Sequence, residues 1–159
     1  MPEYLLYYWP GLPGRGEYVR LVLADGGASW CDVAREGAPA GAPDLDAVLD
    51  DRALHHAPYA PPFLKHGDVL IAQTALICDY LAPRLDLAPA DANERRFALQ
   101  LALTIADLVV EAHDVHHPIS TTLAYEDQKD AAIEASKAFR EARIPKFLGY
   151  FERVIANNP

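Results

Sequence analysis

Apolar and polar positions follow two different rhythms along this chain, and the change from one to the other falls near residue 88. Tyr4 to Tyr8 (YLLYY) is an unbroken aromatic and aliphatic run that stops at Pro10, as a buried strand does. Glu17 to Ala24 (EYVRLVLA) has helical spacing and ends at Gly26-Gly27, which suits a helix C-cap. Ser29 to Ala34 reads as a second, short strand. The stretch 35–62 carries Gly37, Gly41 and several prolines and is mostly loop, broken by one acidic helical turn from Asp44 to Asp51. Phe63 to Lys65, a His66-Gly67-Asp68 turn and Val69 to Ala72 form a hairpin. Thr74 to Leu81 follows as a helix with Thr74 as its N-cap.

Beyond a short linker at Leu85–Pro89 the pattern changes. Residues 91–117 contain neither proline nor glycine, and Phe97, Leu101, Ile105, Leu108 and Ala112 recur three or four apart as one apolar stripe. At 1.5 Å per residue this helix is about 40 Å long. A second long helix is expected from about Glu126 to Asn157, kinked at Pro145. The expected fold is therefore α/β followed by all-α, in the order βαβ-α-ββα and then helices, with domains at 1–84 and 88–159.

Composition narrows the function classes. An apolar fraction of 51% with 23% charged residues is that of a globular chain with a real core. A net charge of −9 argues against nucleic acid or an anionic membrane surface as a partner. No secretory signal opens the sequence and no apolar run is long enough for a membrane helix, so the expected compartment is cytoplasmic. Cys31 and Cys78 form no C-x-x-C and read as idle thiols.

Candidate chemistry gathers at the expected strand ends, where open α/β sheets bind ligands. The stretch YYWPGLPGRGE (Tyr7 to Glu17) looks like a phosphate loop, but a G-x-G-x-x-G frame begun at Gly14 meets Val19 where its third glycine belongs. No Gly-Lys-Ser/Thr follows either. Pro61-Pro62 opens the hairpin strand and is either an ordinary trans loop or a cis turn that presents backbone to a peptide ligand. Thr74 at a helix start either simply caps it or helps bind a carboxylate. His113, His116 and His117 share a helix face, as metal ligands or as polar lining; Pro118 ends that helix at once, and no metal is expected.

Three groups of residues together carry a family resemblance. Tyr8-Trp9-Pro10, Gly14-Arg15-Gly16, Val19-Arg20-Leu21 and Leu23 to Trp30 are similar to the N-terminus of cytosolic glutathione transferases, nearest the pi class. Pro62 to Asp68 and Ile71 to Ile77 resemble that family's cis-proline, Asp-Gly hairpin and Gln-Ser motif. Glu94-Arg95, Ile105 to Leu108, Ile144-Pro145 and Phe151-Glu152 resemble its fourth and fifth helices, so the resemblance spans nearly the whole chain.

The resemblance implies a thioredoxin-like domain that binds glutathione, and a helical domain that shapes a pocket for a small hydrophobic electrophile. It makes Tyr8 the catalytic hydroxyl, with Arg15 adding positive charge near the thiol. Pro62 is then the cis-proline, and the Pro61 carbonyl pairs with the cysteinyl N–H of glutathione, while the Pro61 ring nitrogen has no proton for the second bond. Gln73 and Thr74 hold the γ-glutamyl carboxylate, and Asp107 reaches across a homodimer interface to the γ-glutamyl ammonium. Glutathione is a co-substrate, and no cofactor is implied.

Three questions stay open. Tyr7 adjoins Tyr8, and strand alternation sends only one ring to the site; Trp9-Pro10 favours Tyr8. The family grips the glycyl carboxylate from the segment between strand two and the cis-proline, where this chain offers only Arg35, Arg52, His55 and His56. Other uses of the same fold are a binding or scaffolding module without turnover, or a glutathione-dependent isomerase or peroxidase. The family's chains continue past Asn157 through further helices, so an incomplete copy of a longer protein, or a short form covered by association, is expected, with Phe139, Phe147 and Phe151 exposed.

Overall fold

A computed structural model describes residues 2–158. The chain divides into two compact units, Met1–Ala102 and Leu103–Pro159. In the first, strands β1 (Tyr4–Tyr7), β2 (Trp30–Asp32), β3 (Phe63–His66) and β4 (Val69–Ala72) form one mixed sheet in the order β2-β1-β3-β4. Strand β2 runs parallel to β1, and β3 and β4 run antiparallel to their neighbours. Helix α1 (Gly14–Asp25) makes the crossover between β1 and β2, and α4 (Thr74–Leu81) follows β4. Between β2 and β3 lie two short helices, α2 (Val33–Glu36) and α3 (Leu45–Asp50).

Period-two alternation sorts the core into two layers. Tyr4 and Leu6 of β1 and Leu64 of β3 pack with Val19 and Leu23 of α1 and with Ile77 and Leu81 of α4. Tyr7 and Phe63 face the other way and pack with Val33 and Val48 of the short helices, with Leu5 beside them. This is the thioredoxin-like layering of helix, sheet and helix that the sequence predicts. Helix α1 stops in a Schellman motif: Ala28 N–H bonds to Leu23 C=O and Gly27 N–H to Ala24 C=O, with Gly27 at φ +63. The Asp44 side chain caps α3 by accepting the Ala47 N–H at 2.8 Å.

Several boundaries differ from expectation. Strand β2 is only three residues, because Val33 already turns into α2. His66 belongs to β3, so the hairpin turn is Gly67-Asp68 alone, with Gly67 at φ +56. Helix α1 begins at Gly14 rather than Glu17, since the Pro13 carbonyl accepts the Glu17 N–H and closes the first turn.

The long helix α5 (Ala92–His116) is capped by Asp91, whose carboxylate accepts the N–H groups of Asn93 and Glu94. None of its residues is fully buried. In the second unit the expected helix from Glu126 is three segments: a 3₁₀ turn (Tyr125–Gln128), α6 (Lys129–Ala138) and α7 (Ile144–Asn157). A π-helical turn, Phe139–Arg143, joins α6 to α7. Pro145 has no N–H to return to residue 141, and the backbone absorbs this ahead of the proline by widening its turns. Arg143 closes the junction with a two-armed ion pair to Glu111, at 2.7 and 2.6 Å, and lies over the Phe147 ring. Hydrogen bonding to Arg143 holds the Glu111 carboxyl below the usual carboxylate range. Phe147 is consequently buried, against expectation, while Phe139 and Phe151 remain half-exposed.

Candidate functional site

The candidate residues of the first unit meet at one end of the sheet, and strand register explains why. The last pairs of the two ladders are Tyr7 with Phe63 and Phe63 with Ala72. Continuing each antiparallel register by one residue sets Tyr8 opposite Pro62, and Pro62 opposite Gln73. Three positions distant in sequence thus stand in one row just beyond the ladder, and the peptide bond between Pro61 and Pro62 is cis.

Alternation also separates the two tyrosines. Tyr7 is fully buried in the α3-side layer, stacked on Phe63 at 4.6 Å, and its hydroxyl donates to the Pro43 carbonyl at 3.1 Å. Burial pushes its phenol above the ordinary value, with Cys31 and Asp44 adding to the effect. The Tyr8 ring instead packs under the first turn of α1. A Cβ on Gly16 would stand 2.5 Å from the Tyr8 Cγ, and one on Gly14 would overlap the Tyr8 hydroxyl. Gly14 and Gly16 of the stretch that resembled a phosphate loop are therefore part of α1, and they let its start close over a phenol ring.

That close approach creates the hydrogen bond of interest. The Arg15 backbone N–H donates to the Tyr8 hydroxyl at 3.0 Å. It is one of the N–H groups at a helix start with no partner inside the helix. The phenol oxygen accepts, so its own proton stays available for an outside acceptor, and the accepted bond polarises that O–H. The Arg15 side chain is exposed.

Thr74 joins this group differently from expectation. The chain leaves β4 through Gln73 at φ +72, and Gln73 takes the N-cap position of α4. Thr74 is thus the first helical residue, not the cap, and its hydroxyl donates to the Arg15 carbonyl at 3.3 Å. No side chain caps α4. Its leading N–H groups and positive dipole end are directed where an anion would sit. Left-handed φ is uncommon for a residue other than glycine and is held in place by its surroundings.

Beneath the first turn of α1 lies a charged cluster that sequence patterning did not reveal. Arg20 is 4% exposed, and its Nε donates to Asp32 Oδ2 at 2.6 Å. Burial works against the Arg20 charge, but hydrogen bonds to Asp32 and Glu17 outweigh it and hold the guanidinium above its ordinary value. Arg35, one of four candidates for the glycyl carboxylate, is engaged here, 3.5 Å from both Glu17 and Asp32. Arg52, His55 and His56 remain exposed in the segment before β3.

Both thiols are poorly suited to nucleophilic work. Burial pushes Cys31 up, helped by Glu36 and Asp32, and pushes Cys78 up to about 11.

In the second unit, Asp107 lies exposed on α5. Its histidines have structural partners: His113 stacks on His117 at 4.8 Å, and His116 tilts against Tyr125. The buried Gln128 side chain is the hub of the loop that follows. Its oxygen accepts the N–H groups of Ile119 and Ser120, and its amide faces His117 Nδ1 and the carbonyls of Ser120 and Leu123. Among the described residues no group of three or more His, Cys, Asp or Glu is placed to hold a metal ion, and no helix is long and apolar enough to cross a membrane.

Comparison with known proteins points to one family. A family model described as the glutathione S-transferase C-terminal domain matches residues 113–159. Glutathione S-transferase P 1 of Xenopus laevis is 28% identical over 158 residues, covering 99% of this chain. Glutathione S-transferase P 2 of Bufo bufo is 31% identical over 161 residues, covering 98% of this chain. The chain spans 66% and 64% of the length of those two relatives. The solved pi-class glutathione S-transferase of Onchocerca volvulus superposes with a TM-score of 0.67 at 22% identity, over 97% of this chain and 64% of that one. The family model, these relatives and the shared fold together support a place for the chain in the cytosolic glutathione S-transferase family, on its pi-like side.

Proposed function

We propose that this chain binds glutathione, ionises its thiol, and directs the thiolate at a small hydrophobic electrophile. The observation that carries this reading is the Tyr8 hydroxyl, which accepts the Arg15 N–H at 3.0 Å and so keeps its own proton for a sulfur acceptor. A free thiol with a pKa near 8.5 is only a few per cent thiolate at pH 7. Lowering that pKa by about two units takes ~2.7 kcal/mol, within reach of one or two good hydrogen bonds to charge. Tyr8 serves as a donor, not as a base. The Arg15 side chain is exposed and free to bring positive charge to the bound thiol. Gln73 and Thr74, at the uncapped start of α4, receive the γ-glutamyl carboxylate. The half-buried Pro61 offers its carbonyl to the cysteinyl N–H.

Titrating the ultraviolet absorbance of bound thiolate tests this directly. The expected midpoint lies one to two units below that of free glutathione. A bound thiol that titrates like the free one would leave a binding module and remove the transferase.

A homodimer completes the site, with Asp107 of one subunit reaching the γ-glutamyl ammonium held by the other. The exposure of Asp107 leaves its carboxylate open to such a contact. In a mixed dimer of Asp107→Ala with Tyr8→Phe, one site is expected to lose both groups and the other to keep both. Equal damage at the two sites would place Asp107 within its own subunit's site.

A further inference from the structure

We propose that Arg20 is a positioning residue for thiol activation, setting the height of the first turn of α1 over the Tyr8 hydroxyl. The proposal rests on the reading of Tyr8 given above.

Helix α1 starts at Pro13 without a side-chain cap, and one of its first N–H groups is committed to Tyr8. Something else must hold that turn in place. Thr74 ties the turn at the Arg15 carbonyl, and one guanidinium holds its N-cap end. Arg20 Nη1 donates to the carbonyls of Pro13 at 3.2 Å and Leu12 at 3.4 Å, and to Glu17 Oε2 at 2.9 Å. Its Nε is bonded to Asp32, the last residue of β2. The N-cap carbonyl is thereby tied to the sheet through one rigid planar group. Arg15, two residues further on, carries the N–H that reaches the phenol.

Direct electrostatics explains less. The Arg20 guanidinium carbon lies 5.6 Å from the Tyr8 ring centroid, but Asp32 and Glu17 pair with it, and Arg35 brings a second cation to both acids. Two cations and two anions leave little net field at the phenol. Nor is the cluster arranged to satisfy itself, because Arg20 Nη2 and Asp32 Oδ1 are buried without hydrogen-bond partners. Buried ion pairs of that kind contribute little to stability compared with well-packed apolar groups. Placement of the helix start is the role that uses the contacts observed.

Arg20→Lys keeps the charge but loses the fork, so it can serve Asp32 or the Pro13 carbonyl, not both. The glutathione dissociation constant is expected to stay within about threefold of wild type. The bound-thiol midpoint should rise by about one unit, lowering the neutral-pH rate roughly threefold, with recovery at higher pH. Amide exchange at Arg15 in the unliganded protein should quicken several-fold while amides in the body of α1 keep their rates. A folded Arg20→Lys whose thiol midpoint and Arg15 exchange both match wild type would overturn the proposal.

Should that variant not fold, Glu17→Gln weakens a half-exposed arm of the same guanidinium. It is expected to move both readings in the same direction, and wild-type values for both would be equally decisive against the proposal. A wild-type protein that leaves bound glutathione un-ionised would instead remove the transferase reading. The exchange measurement at Arg15 would still report on Arg20.

Discussion

On the proposed transferase function, replacing Tyr8 with Phe is expected to lower the conjugation rate at pH 7 by roughly twenty-fold and to leave glutathione binding nearly intact. The size follows from the thiolate population. A bound thiol with a pKa near 6.5 is about three-quarters ionised at pH 7, and one returned to about 8.5 is ~3% ionised. The loss of one charge-directed donor, about 1–3 kcal/mol, spans that shift. Because the folded complex holds the thiol pKa down, the deficit is full at neutral pH and closes as pH rises past the free-thiol value. Tyr7→Phe supplies the contrast. It breaks the bond to the Pro43 carbonyl inside the α3-side layer, so it should cost about 1 kcal/mol of stability and leave the thiol titration alone. Thiol titration that follows Tyr7 and ignores Tyr8 would reverse the assignment of the two rings.

The second large effect comes from a methyl group. Gly16→Ala adds a Cβ 2.5 Å from the Tyr8 Cγ, 2.7 Å from its Cδ1 and 3.0 Å from its Cβ. Those atoms lie near the backbone end of the ring, so rotating the ring about its own axis does not clear them. Either Tyr8 or the first turn of α1 has to move by about 1 Å. Overpacking of this sort costs about 1–3 kcal/mol, and a misplacement of that size costs about a hundredfold in rate. Gly149, in the middle of α7, is the control: a Cβ there meets nothing within 4 Å. Gly149→Ala should therefore stabilise the chain by about 0.5–1 kcal/mol, the usual gain of alanine over glycine in a helix. Denaturant midpoints moving in opposite directions for the two substitutions would confirm the steric argument; a shared stabilisation would refute it.

How much of this was legible beforehand depends on the range of the signal. The strands and their order along the chain followed from short apolar runs and a Gly-Asp turn, because local periodicity carries that information. The opposite facing of Tyr7 and Tyr8 also followed, since alternation along a strand is local. What escaped was set by contacts between elements. Gly14 and Gly16 read as a loop because a glycine pair normally marks one, and only the ring beneath them shows why a helix accepts both. Thr74 has the composition of an N-cap, yet the left-handed turn at Gln73 displaced it by one residue. Arg20 lies on the helical stripe with Val19 and Leu23, where a lone charge gives no hint that Asp32 on the next strand awaits it. Phe147 was expected in solvent because the sequence does not announce that Arg143, held by Glu111, will cover its ring.

The raised thiols of Cys31 and Cys78 bear on durability. A protein that gathers reactive electrophiles exposes its own nucleophiles to them at every encounter. With Cys78 pushed up to about 11, only about one molecule in ten thousand carries that thiolate at pH 7. A glutathione sulfur ionised beside Tyr8, as proposed, would outnumber it by more than a thousandfold. On the proposed function, burial that looks like simple core packing would also shield the protein from alkylating itself.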